Sequence, residues 1–331
     1  MRSAKPARPG QPQRSGKALR GGNAAGAGRV PGSGKPRRTG TSPAKVRPAQ
    51  PQLPRRAPAV GNRARARPDR AGSAARSEAR EGLGGEQVEG RQAVAELLAA
   101  NRRRVAEVWL DSDIEPAPIL DRITELAARR RVPVRYVNRT RLETEARTEA
   151  PQGVLAHAEP LAEAQLDDLF RRRATPPFVL ALDGVTDPRN LGALLRTADG
   201  AGVTGAFMGR HRAVHVTPAV TKAAAGAIEH VPMALVSGIP SALTRATEKG
   251  LWVVGLDPEA DGSLFDLPVA DQPVVMVLGA EGKGLARLVR QRCDTVVRIP
   301  LHGALEALNV SAAGAIALFE VSRRRQERPA R

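Results

Sequence analysis

The chain has 331 residues, 41% of them hydrophobic and 2% aromatic, with 52 Lys and Arg against 34 Asp and Glu. That length suffices for two ordinary domains, and the charge is strongly uneven. Residues 1–85 hold 20 basic and three acidic residues, a net of +17, whereas the remainder is near neutral at +1. Cys293 is the only cysteine, which excludes an internal disulfide and a thiolate zinc cluster; no metal site is expected. No apolar run approaches the ~18 residues of a membrane span, and no signal-peptide core is visible. A soluble, cytoplasmic protein with no membrane partner is expected.

In chain order, residues 1–85 are a mixture of Arg, Pro, Gly, Ala and Ser with no period-2 or period-3.6 stripe. Such a segment cannot offset its chain entropy by burial, so it reads as a disordered basic arm. Its charge suits a polyanion, by neutralising phosphates and releasing their counterions. Residues 86–160 predict a small α/β domain. Val94, Leu97 and Leu98 mark one face of a helix over 91–100, and Val105 to Leu110 reads as a strand. A helix over 117–131 follows, then a strand over 132–137, a short helix over 139–147 and a strand near 153–158. Residues 161–177, with three consecutive arginines and Pro176-Pro177, read as a linker.

From Phe178 the alternation resumes with longer apolar strands, expected at 179–182, 205–208, 233–236, 251–256, 274–278 and 296–299. Helices are expected over 191–199, 240–249, 285–291 and about 309–325, with 326–331 as a tail. Continuous apolar strands alternating with helices predict a mostly parallel sheet covered on both faces, with its site at the carboxyl ends of the strands.

Three loops there are unusual. The first runs from Asp183 through Asp187-Pro188-Arg189-Asn190 to Arg196, with Asn190 where a helix N-cap belongs. Arg196 carries a guanidinium near the loop, a group suited to phosphate recognition. The second, Gly279-Ala280-Glu281-Gly282-Lys283-Gly284, differs from the dinucleotide fingerprint and lacks the Ser or Thr of a nucleoside-triphosphate loop. The third, Ile299 to Ser311, leaves a strand through Pro300 and Gly303 into a helix opened by Asn309, where Ala312, Ala313, Gly314 and Ala315 permit close backbone approach. Taken singly, each has a plain structural reading as a cap, a turn or a tight helix contact.

Taken in this order and spacing, the loops resemble motifs one, two and three of the SpoU (TrmH-like) RNA 2'-O-methyltransferases, part of the SPOUT class, over about residues 86–325. Residues 88–159 are similar to the small substrate-binding domain that precedes the catalytic domain in that family. Thr221 to His230 resembles the stretch of the branch that modifies a guanosine in 23S rRNA. The resemblance implies a trefoil-knotted catalytic domain over 178–325, a known exception to the rarity of knots. It implies S-adenosyl-L-methionine as methyl donor, contacted at Gly279, Ile299 and Leu308 mainly through backbone groups. It assigns the catalytic positions to Arg196, Asn190, Glu281 and Asn309, and implies a homodimer that acts on structured RNA, 23S rRNA or a ribosome precursor. A tRNA substrate, or a noncatalytic RNA-binding or ribosome-assembly role, are the alternatives. Two departures stand out: Ala307 replaces the usual serine of motif three, and Ala150-Pro151-Gln152-Gly153 lacks the usual histidine before Gln-Gly. A free guanidinium has a pKa above about 12, so an unaided base role is excluded for Arg196. Phosphate contact and orientation of the ribose hydroxyl are expected instead, with at most a proton relay.

Overall fold

A computed structural model describes residues 82–327 except 173, 212–214 and 305. The basic arm therefore lies outside the described residues, apart from its last four. Those four belong to the fold: Leu83 is buried, and its carbonyl accepts from the Val216 amide at 2.8 Å.

The first half is built from β1 (Gln87–Glu89), α1 (Arg91–Ala100), β2 (Val105–Asp111), α2 (Pro118–Arg129), β3 (Val134–Val137), α3 (Arg139–Glu145) and β4 (Val154–Ala158). The four strands form one sheet in the order β1-β4-β2-β3, parallel only between β2 and β3. Helix α2 shows why the chain folds this way. Pro118 opens it, Asp121 and Arg129 suit its two dipole ends, and Leu120, Ile123 and Ala127 recur on one buried face. That face meets Val94, Leu97 and Leu98 of α1 and Val108 and Leu110 of β2 in one core. On the opposite sheet face, Trp109, Val137, Leu142 and Leu155 make a smaller cluster under α3.

The stretch expected to be a linker is packed. Leu166–Leu169 forms a short helix, α4, and Leu169 and Phe170 are buried, with the Phe170 ring edge-on to Phe207 at 6.1 Å. The Pro and Arg residues that suggested a linker flank this apolar patch without preventing it.

The larger sheet contains β5 (Phe178–Asp183), β6 (Gly205–Gly209), β7 (Met233–Val236), β8 (Trp252–Leu256), β9 (Gly262–Ser263), β10 (Val274–Gly279) and β11 (Thr295–Arg298). Its helices are α5 (Pro188–Gly200), α6 (Pro218–Ala223), α7 (Ile239–Glu248), α8 (Arg287–Arg290) and α9 (Val310–Glu327). All seven strands are parallel, in the order β7-β6-β5-β10-β8-β11-β9. Alternate residues of β5 serve different cores: Phe178, Leu180 and Leu182 pack with Leu194, Leu195 and Leu318, while Val179 and Ala181 pack with Leu243 and Val253. Both faces are thus covered, as long apolar strands require. Strand β5 has β6 on one side and β10 on the other: the chain runs outward through β6 and β7, crosses to β8 and β9, and returns to insert β10 between β5 and β8 and β11 between β8 and β9. The carboxyl ends of β5, β10 and β8 therefore open into a crevice.

Helix α9 closes the crevice side. A Cβ at Gly314 would lie 2.3 Å from Leu194 and 2.9 Å from Leu278, so glycine permits the contact with α5 and β10. The knotted connection that the resemblance implies falls on the chain between β10 and this helix. At the far end of α9, Arg325 donates to the carbonyls of Ala270, Pro176, Pro177 and Gln272 at 2.7–3.1 Å and lies 4.8 Å over the Phe178 ring.

The two sheets are joined by an interface as well as by the chain. Arg103, before β2, donates through two nitrogens to Glu229 at 3.1 and 2.6 Å, and the side chains are 5% and 1% exposed. Its third nitrogen donates to the carbonyls of Gly85 and Glu159. Nearby, Gly226 has φ +93°, and a Cβ there would meet Glu96 of α1 at 2.3 Å. Lys222 donates to the Ala150 carbonyl, and Arg102 to that of His230 at 3.3 Å. The Thr221–His230 stretch is thus the docking surface for the small sheet.

Candidate active site

The first loop is set by its cap. Asp187, followed by Pro188, accepts from the amides of Arg189 at 2.6 Å and Asn190 at 3.2 Å, so Asp187 is the N-cap of α5. The expectation of Asn190 as cap is corrected: it lies inside the first turn, 8% exposed, with its amide free for another task. The second loop is a tight return in which Ala280 and Gly284 exchange backbone hydrogen bonds at 3.1 and 2.9 Å. A Cβ on Gly279 would sit 2.2 Å from the Gly284 carbonyl carbon, which requires glycine at this position. Asp183, ending β5, accepts from the Ala286 amide at 2.8 Å and ties the second loop to the first. In the third loop Asn309 starts α9, accepting from the Ser311 amide at 2.9 Å and its hydroxyl at 2.6 Å.

These loops bring Asn190, Glu281 and Asn309 together. The Asn309 amide donates to Asn190 Oδ1 at 3.1 Å and Glu281 Oε1 at 3.5 Å, and the Asn190 amide donates to Glu281 Oε2 at 3.1 Å. The polarity is fixed from one end. Because the Ser311 N–H can only donate, Asn309 Oδ1 must face it and Nδ2 must face Asn190; Asn190 in turn must present Nδ2 to the carboxylate. The result is an ordered set of dipoles ending on one carboxylate.

Arg196 is not part of this set. It is exposed, and among the described residues its side chain makes no hydrogen bond or ion pair. Six residues of helix place it about 9 Å along the axis from Asn190 and on a different face. The guanidinium expected near the loop is therefore placed in mid-helix, with no hydrogen bond or ion pair among the described residues.

Gly279, Ile299 and Leu308 do meet, in a cleft of about 150 Å³ whose wall also includes Leu256, Leu278, Leu301, Asp257 and Glu281. Among the described residues, no backbone–backbone hydrogen bond engages the segment 299–308. The N–H and C=O groups of its described residues are thus available to a ligand. Apolar walls, open backbone groups and two carboxylates fit a molecule with a flat heterocycle, hydroxyls and a positive charge, as S-adenosylmethionine has. Ala307 lines the same cleft without a hydroxyl.

Cys293 stays outside this chemistry. Its thiol donates to the Val289 carbonyl at 3.4 Å, and burial, with Asp294 adding to it, pushes its pKa up to about 12. It is a packed residue and not a nucleophile. Among the described residues, no group of three His, Cys, Asp or Glu side chains is placed to hold a metal, and no helix is long and apolar enough to cross a membrane. Sequence reasoning missed Asp187, Asp183, Asp257 and Ser311. Only Asp187 had a local signal, the Asp-Pro pair that opens many helices.

Comparison with known proteins matches residues 177–319 to the SpoU rRNA Methylase family and residues 87–164 to RNA 2'-O ribose methyltransferase substrate binding. The 23S rRNA (guanosine-2'-O-)-methyltransferase RlmB of Pseudomonas putida is 42% identical over 245 residues, covering 73% of this chain and 97% of its own length. The protein of the same name from Pseudomonas aeruginosa is 42% identical over 243 residues, covering 72% and 97%. Among solved structures, the SpoU methyltransferase AviRb from Streptomyces viridochromogenes, in complex with AdoMet, superposes with a TM-score of 0.62 at 25% identity, covering 73% of this chain and 90% of that one. An AdoMet-bound rRNA methyltransferase from Sinorhizobium meliloti gives 0.59 at 25% identity, covering 72% and 87%.

Proposed function

The chain belongs to the SpoU rRNA methylase family, and we propose that it transfers a methyl group from S-adenosylmethionine to the ribose 2'-hydroxyl of a guanosine in 23S rRNA. The observation that carries this reading is the near full-length match to guanosine-2'-O-methyltransferases, in a chain whose second and third motif loops line one cleft and whose first loop is tied to them through Asn190.

When bound, the donor supplies an activated methyl group on a sulfonium. The protein's work is then alignment and removal of one proton. Gly279, Ile299 and Leu308 hold the donor through backbone groups at the cleft. Glu281, held by Asn190 and Asn309, presents a fixed carboxylate beside it. Arg196, which makes no hydrogen bond or ion pair among the described residues, engages the RNA phosphate and orients the attacking hydroxyl. The small sheet presents the RNA, the basic arm raises its local concentration, and the reaction takes place in the cytoplasm.

The enzyme works as a homodimer. Support comes from α9, where Ala312, Ile316, Phe319 and Arg323 form an exposed stripe with Ile316 at 36% and Phe319 at 50% exposure. Gly200 of α5 lies against Phe319, and Arg196 is one turn earlier, so the stripe adjoins the free guanidinium. Phe319→Asp is expected to shift the sedimentation coefficient to that of a monomer and to abolish methylation with it.

Ala307→Ser is expected to raise kcat about two- to tenfold, the value of one net hydrogen bond, with little change in donor affinity. An unchanged or lower kcat in single-turnover assays would mean that the missing hydroxyl has no counterpart in this site.

The function itself is tested by mapping 2'-O-methyl groups in 23S rRNA from cells with and without the protein. One guanosine should lose its methyl group. A methyl lost from tRNA instead would replace the substrate, and no loss anywhere would favour a noncatalytic assembly role.

A further inference from the structure

Asp257 is a buried carboxylate in the cleft wall that none of the motif assignments uses. It follows β8 directly, is 6% exposed, and lines the cleft together with Gly279, Ile299 and Leu308. Its backbone is pinned: the amide donates to the Val297 carbonyl at 3.0 Å, and its carbonyl accepts from the Ala260 amide at 3.2 Å. Its side chain is pinned as well, Oδ1 accepting from the Glu259 amide at 2.9 Å and Oδ2 from the guanidinium of Arg290. Each oxygen is thus engaged once, and a carboxylate offers about four acceptor positions. Two remain, in a fixed orientation, in a cleft otherwise lined by apolar residues such as Leu256 and Leu278, by the second loop and by Glu281.

A rigid carboxylate with one free position on each oxygen matches two adjacent O–H donors. An acidic residue beyond the carboxyl end of a parallel strand does this for ribose in other nucleotide-binding sheets. We propose that Asp257 binds the vicinal 2'- and 3'-hydroxyls of the adenosine portion of the methyl donor, with Arg290 and the Glu259 amide holding it in place. This rests on the reading of the cleft as the donor site. It adds a charge-assisted recognition of the ribose to a cleft whose other donor contacts come from backbone groups. A role confined to the ion pair with Arg290 is the rival account, since that pair alone would dock α8 on the turn after β8.

The test is calorimetric titration of the full chain with S-adenosylhomocysteine and with its 2'-deoxy and 3'-deoxy forms. The wild type should bind the full ribose at least about tenfold more tightly than either deoxy form, the range of a hydrogen bond to a charged group. Asp257→Asn should weaken S-adenosylhomocysteine by about tenfold while leaving the deoxy forms nearly unchanged, so that discrimination collapses. Arg290→Met should keep the discrimination in part. Two results overturn the proposal: wild type binding all three ligands equally, or Asp257→Asn weakening all three in the same ratio. The first needs no variant to fold. A wild type that binds none of them removes the donor-site reading itself along with the proposal.

Discussion

Arg196→Ala is expected to lower single-turnover methyl transfer by about 10²–10⁴-fold, the range for losing a group that positions or relays a proton, while calorimetric donor binding stays nearly intact. The structure makes this substitution unusually clean. Arg196 is exposed on α5 with no hydrogen bond or ion pair among the described residues, so its removal breaks none of these. Surface changes of that kind alter stability by about 0.5 kcal/mol or less. Nor does it touch the Asn190–Glu281–Asn309 set or the cleft wall. Arg196→Lys should recover only part of the rate, because an ammonium keeps the charge and loses the planar fork that grips a phosphate. Equal losses in transfer and in donor affinity would sink this division of labour and place Arg196 in the donor site.

The second large effect lies far from the cleft. Glu229→Ala should cost about 3–5 kcal/mol in denaturant unfolding, because it strands the Arg103 guanidinium in a buried interface. The loss should reach the reaction as well. With the small sheet no longer held, KM for RNA should rise, whereas kcat at saturating RNA and the donor Kd should change little. Arg103→Met combined with Glu229→Leu separates charge from docking, since a buried apolar pair of similar volume recovers much of the stability. If Glu229→Ala unfolds at the wild-type midpoint, the pair does not hold the interface. If stability falls and KM for RNA does not move, docking of the small sheet is irrelevant to substrate.

Much of this was legible in the residues. The strands of the larger sheet announce themselves because Val274–Leu278 and Phe178–Leu182 are apolar runs bounded by Gly, Pro or Asp. The three loops stand out through Gly, Pro and Asn at strand ends. What escaped has physical reasons. Strand β9 is two residues long, too short for any period to register. Helix α4 and its cap hide Leu166, Leu169 and Phe170 among charged residues and prolines whose composition suggests a linker. Asn190 looked like a cap because Asn suits one, and only the Asp187 hydrogen bonds decide between them. Arg103 and Glu229 are 126 residues apart, and no local pattern links two such positions. The same holds for Asp257, whose acid looks like any loop carboxylate until β8, β10 and the third loop enclose it.

The clamp made by Arg325 has a temporal side. Pro176 and Pro177, whose carbonyls it holds, lie 149 and 148 residues upstream. During synthesis the opening strand of the larger sheet emerges long before the side chain that fastens its base. Strand β10, which must slot beside β5 along its whole length, also emerges about 100 residues later. The smaller sheet is complete by Ala158, so it is ready to fold while its neighbour still lacks a central strand. The cell therefore handles a nascent chain whose RNA-presenting half matures first and whose transferase half leaves one edge of the apolar strand β5 unpaired until β10 arrives. That interval is where chaperone dependence and aggregation of this protein should concentrate.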